Sequence, residues 1–473
     1  MKLKMQERGQ SLVLIALAVI GLFGFSGLAI DGSRVFSDRR NAQNAADTAA
    51  LAAALARIRE PIVADKATAA EQAAMQRAIS NGYDNDANST VEVHMCDEKG
   101  LDPPCEGLPG LANKAEYIQV KIESTIPATF ARIVGRQEFK NIVTAVAHAE
   151  DSIPGPLFDG AALVTLKPDG DATFVANGSA YLDVVNSGVF NNSRDHCGMT
   201  IVGSGDYNVD TSFQVAGLYD KKCEKGVVDL NGAPVQPTNP VKYPPDLTIP
   251  IPDIVCSGNG SVSTSGDTTT ITPGNFASGV TINSTQHVIF APGNYCFGGN
   301  VDIAGSANVI ANDVNFEFGP GSSFSTTGNS DFTCYNALFH VNGGSGVNFG
   351  GTGSNYCNNV TFIASTGSIG GLGNGENRLF APTGGIYEGL LVYMPFGNGS
   401  DLKLAGNQNA EFTGTILAVS APITITGVSS STGFRSQIIG YTVELQGSSS
   451  TTLIYDPEDQ IKHVDPSAIT LTK

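Results

Sequence analysis

Tryptophan is absent from the 473 residues, and only 15% of them are charged. Basic residues are scarce beyond position 150, where 11 Lys and Arg stand against 27 Asp and Glu, while residues 1–150 carry 16 against 18. A surface this acidic repels phosphate backbones, so we expect no nucleic-acid partner. The hydrophobic content of 41% is enough for buried cores, and the length predicts more than one domain.

Motifs for catalysis and metal binding are also missing. No GxSxG, GxxxxGK[ST], HExxH or dinucleotide fingerprint occurs in a supporting context. The Asp84–Asn88 stretch starts like a calcium loop, but Ser89 and Met95 stand where that loop requires Gly and Glu. We therefore expect no catalytic, cofactor-binding or metal site. The spacing of a catalytic or metal site is absent among the histidines, Arg378 and the singly spread acids, namely His94, His148, His196, His287, His340, His463, Asp302, Asp313, Glu317, Asp331, Glu376, Glu388 and Asp401.

The cysteines are even in number and show no CxxC spacing, which favours disulfides and an oxidising compartment over zinc or redox chemistry. We predict pairing in sequence order, although other connectivities stay open at this point. The predicted pairs are Cys96 with Cys105, Cys197 with Cys223, Cys256 with Cys296, and Cys334 with Cys357.

Residues 12–30 form an uncharged apolar run that, as a helix, would span roughly 28 Å, close to the thickness of a bilayer's hydrocarbon core. A cleaved signal peptide is the alternative, but this run is longer than a signal core and lacks a clean cleavage site. Basic residues flank both ends equally. Because disulfides require the bulk to be extracytoplasmic, we predict a transmembrane helix with residues 1–11 in the cytoplasm.

The helical pattern continues beyond this run as an alanine-rich stretch. Its small side chains recur at helical spacing and could approach another helix or pack on the chain's own strands, and we favour the strands. Pro61 interrupts the helix, a second helical stretch follows, and alternating strand patterns end near residue 147. Residues 31–150 are therefore predicted to form a small α+β stalk domain. The alanines in question are Ala42, Ala45, Ala49, Ala52 and Ala56.

Three segments of this region resemble the TadE/TadG-like domain of Flp (Tad) pilus-assembly proteins: residues 7–11 (ERGQS), 29–32 (AIDG) and 39–52 (RRNAQNAADTAALA). The resemblance implies an envelope protein with a single N-terminal span and an exported remainder, associated with pilus biogenesis or the cell surface. A prepilin-peptidase site would place Glu five residues after the cleaved Gly9, where this sequence has Leu14.

From about residue 158 the sequence becomes short strand-like runs punctuated by Gly, Asn and Ser. Alternating strands ending in glycine recur at 402–406, 423–427 and 443–447, and Gly305, Gly328 and Gly350 suggest the same period. Thin repeats of this length are stable only when stacked. We predict a parallel β-helix over 158–455, right-handed by the crossover preference, with ten to twelve coils, a proline-rich excursion at 232–252 and a cap or tail at 456–473.

These features predict a non-enzymatic, membrane-anchored extracytoplasmic protein of the Flp/Tad type, whose β-helix presents a surface for adhesion or assembly contacts. Its expected partners are the membrane and either pilus-assembly proteins or surface glycans. A polysaccharide-binding or polysaccharide-cleaving enzyme is the first alternative, since many β-helices act on polysaccharides. A minor pilin subunit is the second.

Overall fold

The computed structural model divides the chain into two compact units, residues 1–153 with 465–473 and residues 154–464, and each is described by itself. The residues that the structure describes are 8–97, 105, 114–152, 154–178, 181–217, 220, 223–225, 228–229, 235–240, 243, 247–370, 375–405, 409–426, 434–447, 450–464 and 467–472. Strands are numbered in chain order.

The first unit contains two helices and an antiparallel sheet. Helix α1 (Arg8–Arg59) ends just before Pro61, which cannot donate the next helical hydrogen bond, and α2 (Lys66–Ser80) follows. The sheet has the order β1 (Ser89–Met95), β2 (Tyr117–Pro127), β3 (Glu138–Glu150), β37 (Ala468–Leu471). The C-terminal strand of the chain thus completes this sheet, whereas the sequence suggested a cap or tail for the coils.

Alanines dominate the interface between α1 and the rest of this unit. Ala42, Ala45 and Ala49 are buried in one cluster with α2 and the inward side chains of the sheet, while Ala52 and Ala56 are half-buried. Gln43 on the same helix donates from its side chain to the backbone oxygen of Thr144 on β3. Side chains this small let helix and sheet approach closely, so the alanine-rich stretch packs on the chain's own strands.

Asp151 joins the end of this sheet to both helices. Its carboxylate lies 3.2 Å from the Arg57 guanidinium and 2.7 Å from the Lys66 ammonium. Burial alone would raise the pKa of Asp151, but the hydrogen bond from Lys66 and the charges of Arg57 and Lys66 outweigh it and lower that pKa. A lowered pKa stabilises the fold above the unfolded-state pKa of about 3.9, and this contribution is lost as pH falls through the folded-state pKa.

The Asp151→Asn variant should therefore melt earlier than the parent at neutral pH, and the difference should shrink as the solution is acidified below about pH 4. Thermal unfolding of the full chain in detergent at neutral and acidic pH measures this difference. Asp65→Asn, which neutralises an exposed acid nearby, is the control and should change the melting temperature little. A pH-independent difference would contradict the expectation.

The second unit is a parallel β-solenoid of about 11 turns, which confirms the fold class predicted from the sequence. A short antiparallel pair, β4 (Pro154–Pro156) with β36 (Lys462–Val464), accompanies it. The solenoid strands are β5 (Leu163–Thr165), β6 (Phe174–Asn177), β7 (Tyr181–Val185), β8 (Val189–Asn191), β9 (Met199–Val202), β10 (Gly205–Val209), β11 (Phe213–Val215), β12 (Glu224–Lys225), β13 (Val228–Asp229), β14 (Val235–Pro237), β15 (Ser261–Ser265), β16 (Thr268–Thr272), β17 (Gly274–Phe276), β18 (Val280–Ser284), β19 (His287–Phe290), β20 (Gly293–Phe297), β21 (Val301–Gly305), β22 (Asn308–Phe318), β23 (Ser323–Thr326), β24 (Asp331–Val341), β25 (Gly346–Phe349), β26 (Asn355–Ala364), β27 (Ser368–Gly370), β28 (Asn377–Phe380), β29 (Leu390–Met394), β30 (Leu402–Ala405), β31 (Glu411–Thr413), β32 (Thr415–Thr426), β33 (Phe434–Arg435), β34 (Ile438–Gln446) and β35 (Ser450–Ile454).

The order of the turns in space differs from their order in the chain. Strands β34 and β35 pair with β5, β6 and β7, so the last turn in sequence lies against the first, with Ile438 opposite Leu163. From β5 the pairing continues through β8 and β11 to β14. The opposite series starts at β16, which is edged by the antiparallel strand β15. The chain therefore enters the stack in its interior.

This order requires a connection from β14 at one end of the stack to β15 at the other. We call residues 238–258 the outer segment, of which 238–240, 243 and 247–258 are described. About 11 turns at 4.8 Å cover about 50 Å, and about 20 extended residues reach about 60 Å, so the connection is long enough. The excursion predicted for 232–252 thus starts later, because Val235–Pro237 is an end strand, where proline's missing donor is tolerated.

Contacts on several turns hold the outer segment in place. The Tyr243 ring packs edge-on against Phe396 at 5.1 Å, and the Tyr387 hydroxyl donates to the Pro250 carbonyl at 3.0 Å. Ile249 is buried in an apolar cluster on the outward side of the sheet, which includes Ile363, Leu390, Leu417 and Ile439. This cluster explains why outward positions on these strands are apolar, since the outer segment, residues 157–161 and Ile461 pack against them.

Turns at successive levels stack glycine on glycine. Gly305, Gly328 and Gly351 all have positive φ, and a Cβ on Gly328 would lie 2.5 Å from the carbonyl oxygen of Gly305. The period is therefore 23 residues, and Gly351 rather than Gly350 occupies the third position.

Gly328→Ala should destabilise the solenoid by about 1–3 kcal/mol, because alanine at positive φ is strained and its Cβ meets backbone. Gly384→Ala is the matched control, since no atom lies within 4 Å of the added Cβ and its φ is not positive. Circular dichroism during thermal unfolding compares the two variants. Equal melting temperatures would show that the turn tolerates a side chain.

Candidate functional site

The apolar part of α1 is uncovered within the described structure. Side chains between residues 12 and 30 are mostly exposed, with Leu12 at 71%, Phe23 at 70% and Phe25 at 78%. By length and hydropathy this helix is able to cross a membrane. Apolar surface of this extent is unfavourable in water, which distinguishes it from the alanine-rich continuation of the same helix.

A polar clasp lies where the apolar run ends. The Asp31 carboxylate accepts hydrogen bonds from the backbone N–H groups of Thr129, Phe130 and Ala131 at 3.0, 2.8 and 2.7 Å. Asp31 is 3% exposed, so these donors satisfy a carboxylate removed from water. The Phe130 ring covers Gly27, where an added Cβ would lie 2.8 Å from the ring. Asp31 was not among the predicted site residues, although an acid directly after an apolar run is a signal that could have identified it.

Four disulfides join the cysteines in the sequence order predicted above. Cys256 of the outer segment is bonded to Cys296 on β20, and Cys334 and Cys357 lie directly opposite each other on β24 and β26. His196 lies beside Cys197, which is bonded and is therefore not a free nucleophile. Among the described residues no cysteine is free.

A polar groove of about 560 Å³ runs across turns on one side of the solenoid. Serine, asparagine and glycine line it, and its charged members are Asp401 and Lys403. Several of its hydroxyls already bond across turns, for example Ser325 to Asp302 at 2.7 Å and Ser323 to Asn300 at 3.0 Å. A shallow surface of hydroxyl and amide groups is suited to hydrogen bonding with a hydroxyl-rich ligand.

An aromatic patch occupies another part of the solenoid surface. Tyr335 and Tyr356 are 55% and 40% exposed. The Arg378 guanidinium lies 5.7 Å from the Tyr356 ring and 5.8 Å from the Phe380 ring, and donates twice to Glu411. The neighbouring Asn377 is buried and Glu376 contributes its backbone oxygen to Asn355, so residues 376–378 form no common site.

A chain of hydrogen bonds connects three successive turns at Glu317, His340 and Ser365. Glu317 contacts His340 Nδ1 at 2.6 Å, and Ser365 contacts its Nε2 at 3.0 Å. The order of groups resembles a nucleophile, base and orienting acid. However, His340 is 1% exposed and neither it nor Ser365 lines the polar groove, so what this part of the structure shows is a hydrogen-bonded bridge between turns.

Two of the remaining candidate acids, Asp313 and Asp331, accept hydrogen bonds from the adjacent turn. Asp313 and Asn336 have positive φ, and Asn336 donates to Asp313, just as Asn359 donates to Asn336 one turn further on. Asp331 accepts the backbone N–H of Ser354. Across the described part of the chain, no three His, Cys, Asp or Glu side chains lie close enough together to hold a metal ion.

Fold and surface together define a protein with a β-solenoid and a helix that can cross a membrane. Within that class, residues 9–56 match the family model described as "Putative Flp pilus-assembly TadE/G-like", so the chain contains a Tad domain in α1. This match confirms the resemblance found in the sequence. No curated protein and no solved structure matches the chain.

Proposed function

We propose that the chain is a non-enzymatic, membrane-anchored protein of the Flp/Tad pilus-assembly type, whose solenoid offers a surface for adhesion or for contacts with pilus-assembly proteins. The contrast along α1 carries the proposal. Residues 12–30 expose apolar side chains, whereas the alanines beyond residue 41 are packed on the sheet. A bilayer is the solvent that suits an uncovered apolar helix of this length, and the Tad domain lies in the same helix.

The orientation we propose leaves residues 1–11 in the cytoplasm and the bulk of the chain outside. Four disulfides support it, because such bonds persist in oxidising compartments and are rare in the cytosol. The acidic charge beyond residue 150 is consistent with a surface that stays soluble outside the cell.

Cells expressing the full chain test the anchor and the orientation together. We expect the chain to remain in the membrane fraction after an alkaline carbonate wash. Protease added to spheroplasts, whose outer surface is open to it, should degrade the solenoid and leave a membrane fragment that contains α1. Release by carbonate would refute the anchor, and a solenoid cleaved only after cell lysis would refute the orientation.

Polysaccharide binding is a second candidate, favoured by the polar groove. Purified full-length chain would be titrated with acidic and neutral polysaccharides while the products are analysed for cleavage. We expect binding without turnover, weakened in Lys403→Ala and unchanged in Lys140→Ala, an exposed lysine of the other unit. Clear turnover would support the enzyme alternative instead. N-terminal sequencing of the membrane form tests the minor pilin alternative, which requires processing near Gly9.

A further inference from the structure

A short loop of the first unit exposes apolar side chains beside the end of the apolar run of α1. We call residues 128–136 the interfacial loop; it contains the short helical turn Ala131–Val134. Ile133 is 86% exposed, and Phe130 is 40% exposed although its ring also covers Gly27. Single exposed apolar residues are ordinary on protein surfaces, so the position of this loop carries the argument.

The clasp fixes that position. Asp31, the first residue after the apolar run, holds the backbone of Thr129, Phe130 and Ala131. Gly27 lies three residues before the end of the run, about 4.5 Å back along the helix at 1.5 Å per residue. The Phe130 ring therefore lies at the depth where the hydrocarbon core of a bilayer around α1 would meet the headgroups. Ile133 follows within the same turn, a few ångströms away.

The charges around the loop suit lipid headgroups. Arg132 and Arg136 are exposed on the loop itself, and Arg34 on α1 donates to the Thr129 hydroxyl. Glu138, exposed just after the loop, is the opposing charge, while Asp31 is already satisfied by three backbone donors. Guanidinium groups bind phosphate through paired hydrogen bonds, and apolar side chains between them can enter the acyl region.

We propose that the interfacial loop is a second membrane contact, which inserts Phe130 and Ile133 into the extracytoplasmic leaflet beside α1 while Arg132 and Arg136 bind lipid phosphate. This contact rests on the proposed function, since it requires α1 to cross a bilayer. The loop holds the first sheet at the membrane surface, so the span and the loop act as two attachment points. A bilayer is favoured over a protein partner because the loop is bonded to the helix at bilayer depth.

The absence of tryptophan makes the depth of the loop measurable. Ile133→Trp introduces a single tryptophan at an exposed position, so the fold should tolerate it. The full chain would be reconstituted into vesicles of phosphatidylcholine and phosphatidylglycerol, with or without brominated acyl chains. We expect the Ile133→Trp emission to shift to shorter wavelength, to lose most of its intensity in brominated vesicles and to resist aqueous acrylamide.

Two further variants distinguish failure of the membrane anchor from failure of the loop contact. Phe23→Trp lies within the apolar run, and Ile386→Trp lies on the solenoid at a position that is 74% exposed. Absence of bromolipid quenching in Phe23→Trp would refute the anchor itself. Quenching of Phe23→Trp together with an Ile133→Trp that behaves like Ile386→Trp would overturn the loop contact alone. Protection of Ile133→Trp from acrylamide without bromolipid quenching would also overturn it and indicate a protein partner.

Discussion

Replacing Phe339 with alanine is expected to destabilise the solenoid by about 3–5 kcal/mol, the usual cost of removing a buried aromatic ring from a packed core. Phe339 is fully buried and lies opposite Phe316 and Phe362 on the adjacent turns. The ring centroids are 4.9 and 4.8 Å away. Because each turn contacts only its neighbours, a cavity here weakens two interfaces at once.

Tyr335→Ala is the matched control for this substitution. It removes an aromatic ring from the same strand, but Tyr335 is 55% exposed, so its loss should change stability by less than about 0.5 kcal/mol. Urea unfolding of the full chain in detergent, followed by circular dichroism, compares the two variants with the parent. Similar urea midpoints for both variants would mean that packing among the rings of Phe316, Phe339 and Phe362 does not stabilise the solenoid.

Removing the disulfide between Cys256 and Cys296 should have the next largest effect. It closes a loop of 40 residues, for which the chain-entropy model gives about 4 kcal/mol. This bond also anchors the outer segment close to β15, so its removal should let the last residues of that segment separate from the solenoid. The variant carries Cys256→Ser together with Cys296→Ser.

Limited proteolysis under native conditions provides the readout. We expect faster cleavage within residues 247–258 in this double variant than in the parent. The double variant Cys334→Ser, Cys357→Ser is the control, because those two residues are already held opposite each other by the strand ladder and belong to the inward core, whereas Ile249 of the outer segment packs in the outward cluster. Unchanged cleavage in the first variant would show that the packing of Ile249 and Tyr243 holds the segment without the disulfide.

Local periodicity was sufficient to predict the solenoid. The strands predicted at 402–406, 423–427 and 443–447 do pair, with Leu402 opposite Ile423 and Ile423 opposite Val443. The motif Pro273-Gly274-Asn275, which recurs as Pro292-Gly293-Asn294, was less informative about the register. It repeats after 19 residues in the sequence, but Gly274 lies opposite Tyr295, so the structural period at this point is 21. Loop length varies between turns, and a motif spacing alone therefore does not define the register.

Features that join distant parts of the chain had no local signal. Leu163 pairs with Ile438, and β37 pairs with β3. An edge strand is stabilised by any strand that pairs with it, even one that is distant in the sequence. The hydrogen-bonded bridge of Glu317, His340 and Ser365 could have been predicted, because its members are one turn apart in the sequence and residues separated by one turn stack. Asp31 received no role because its partners lie about a hundred residues away.

The interior entry of the chain into the stack has a consequence for biosynthesis. Synthesis from the N-terminus produces β5, β6 and β7 early, yet the ladder neighbours of these strands on one side, β34 and β35, are the last solenoid strands to be made. Until then one edge of the first turn has unpaired backbone groups and can pair with a strand of another chain. Formation of the final turn therefore closes this edge, and a copy truncated before β34 would keep an unpaired edge on its first turn.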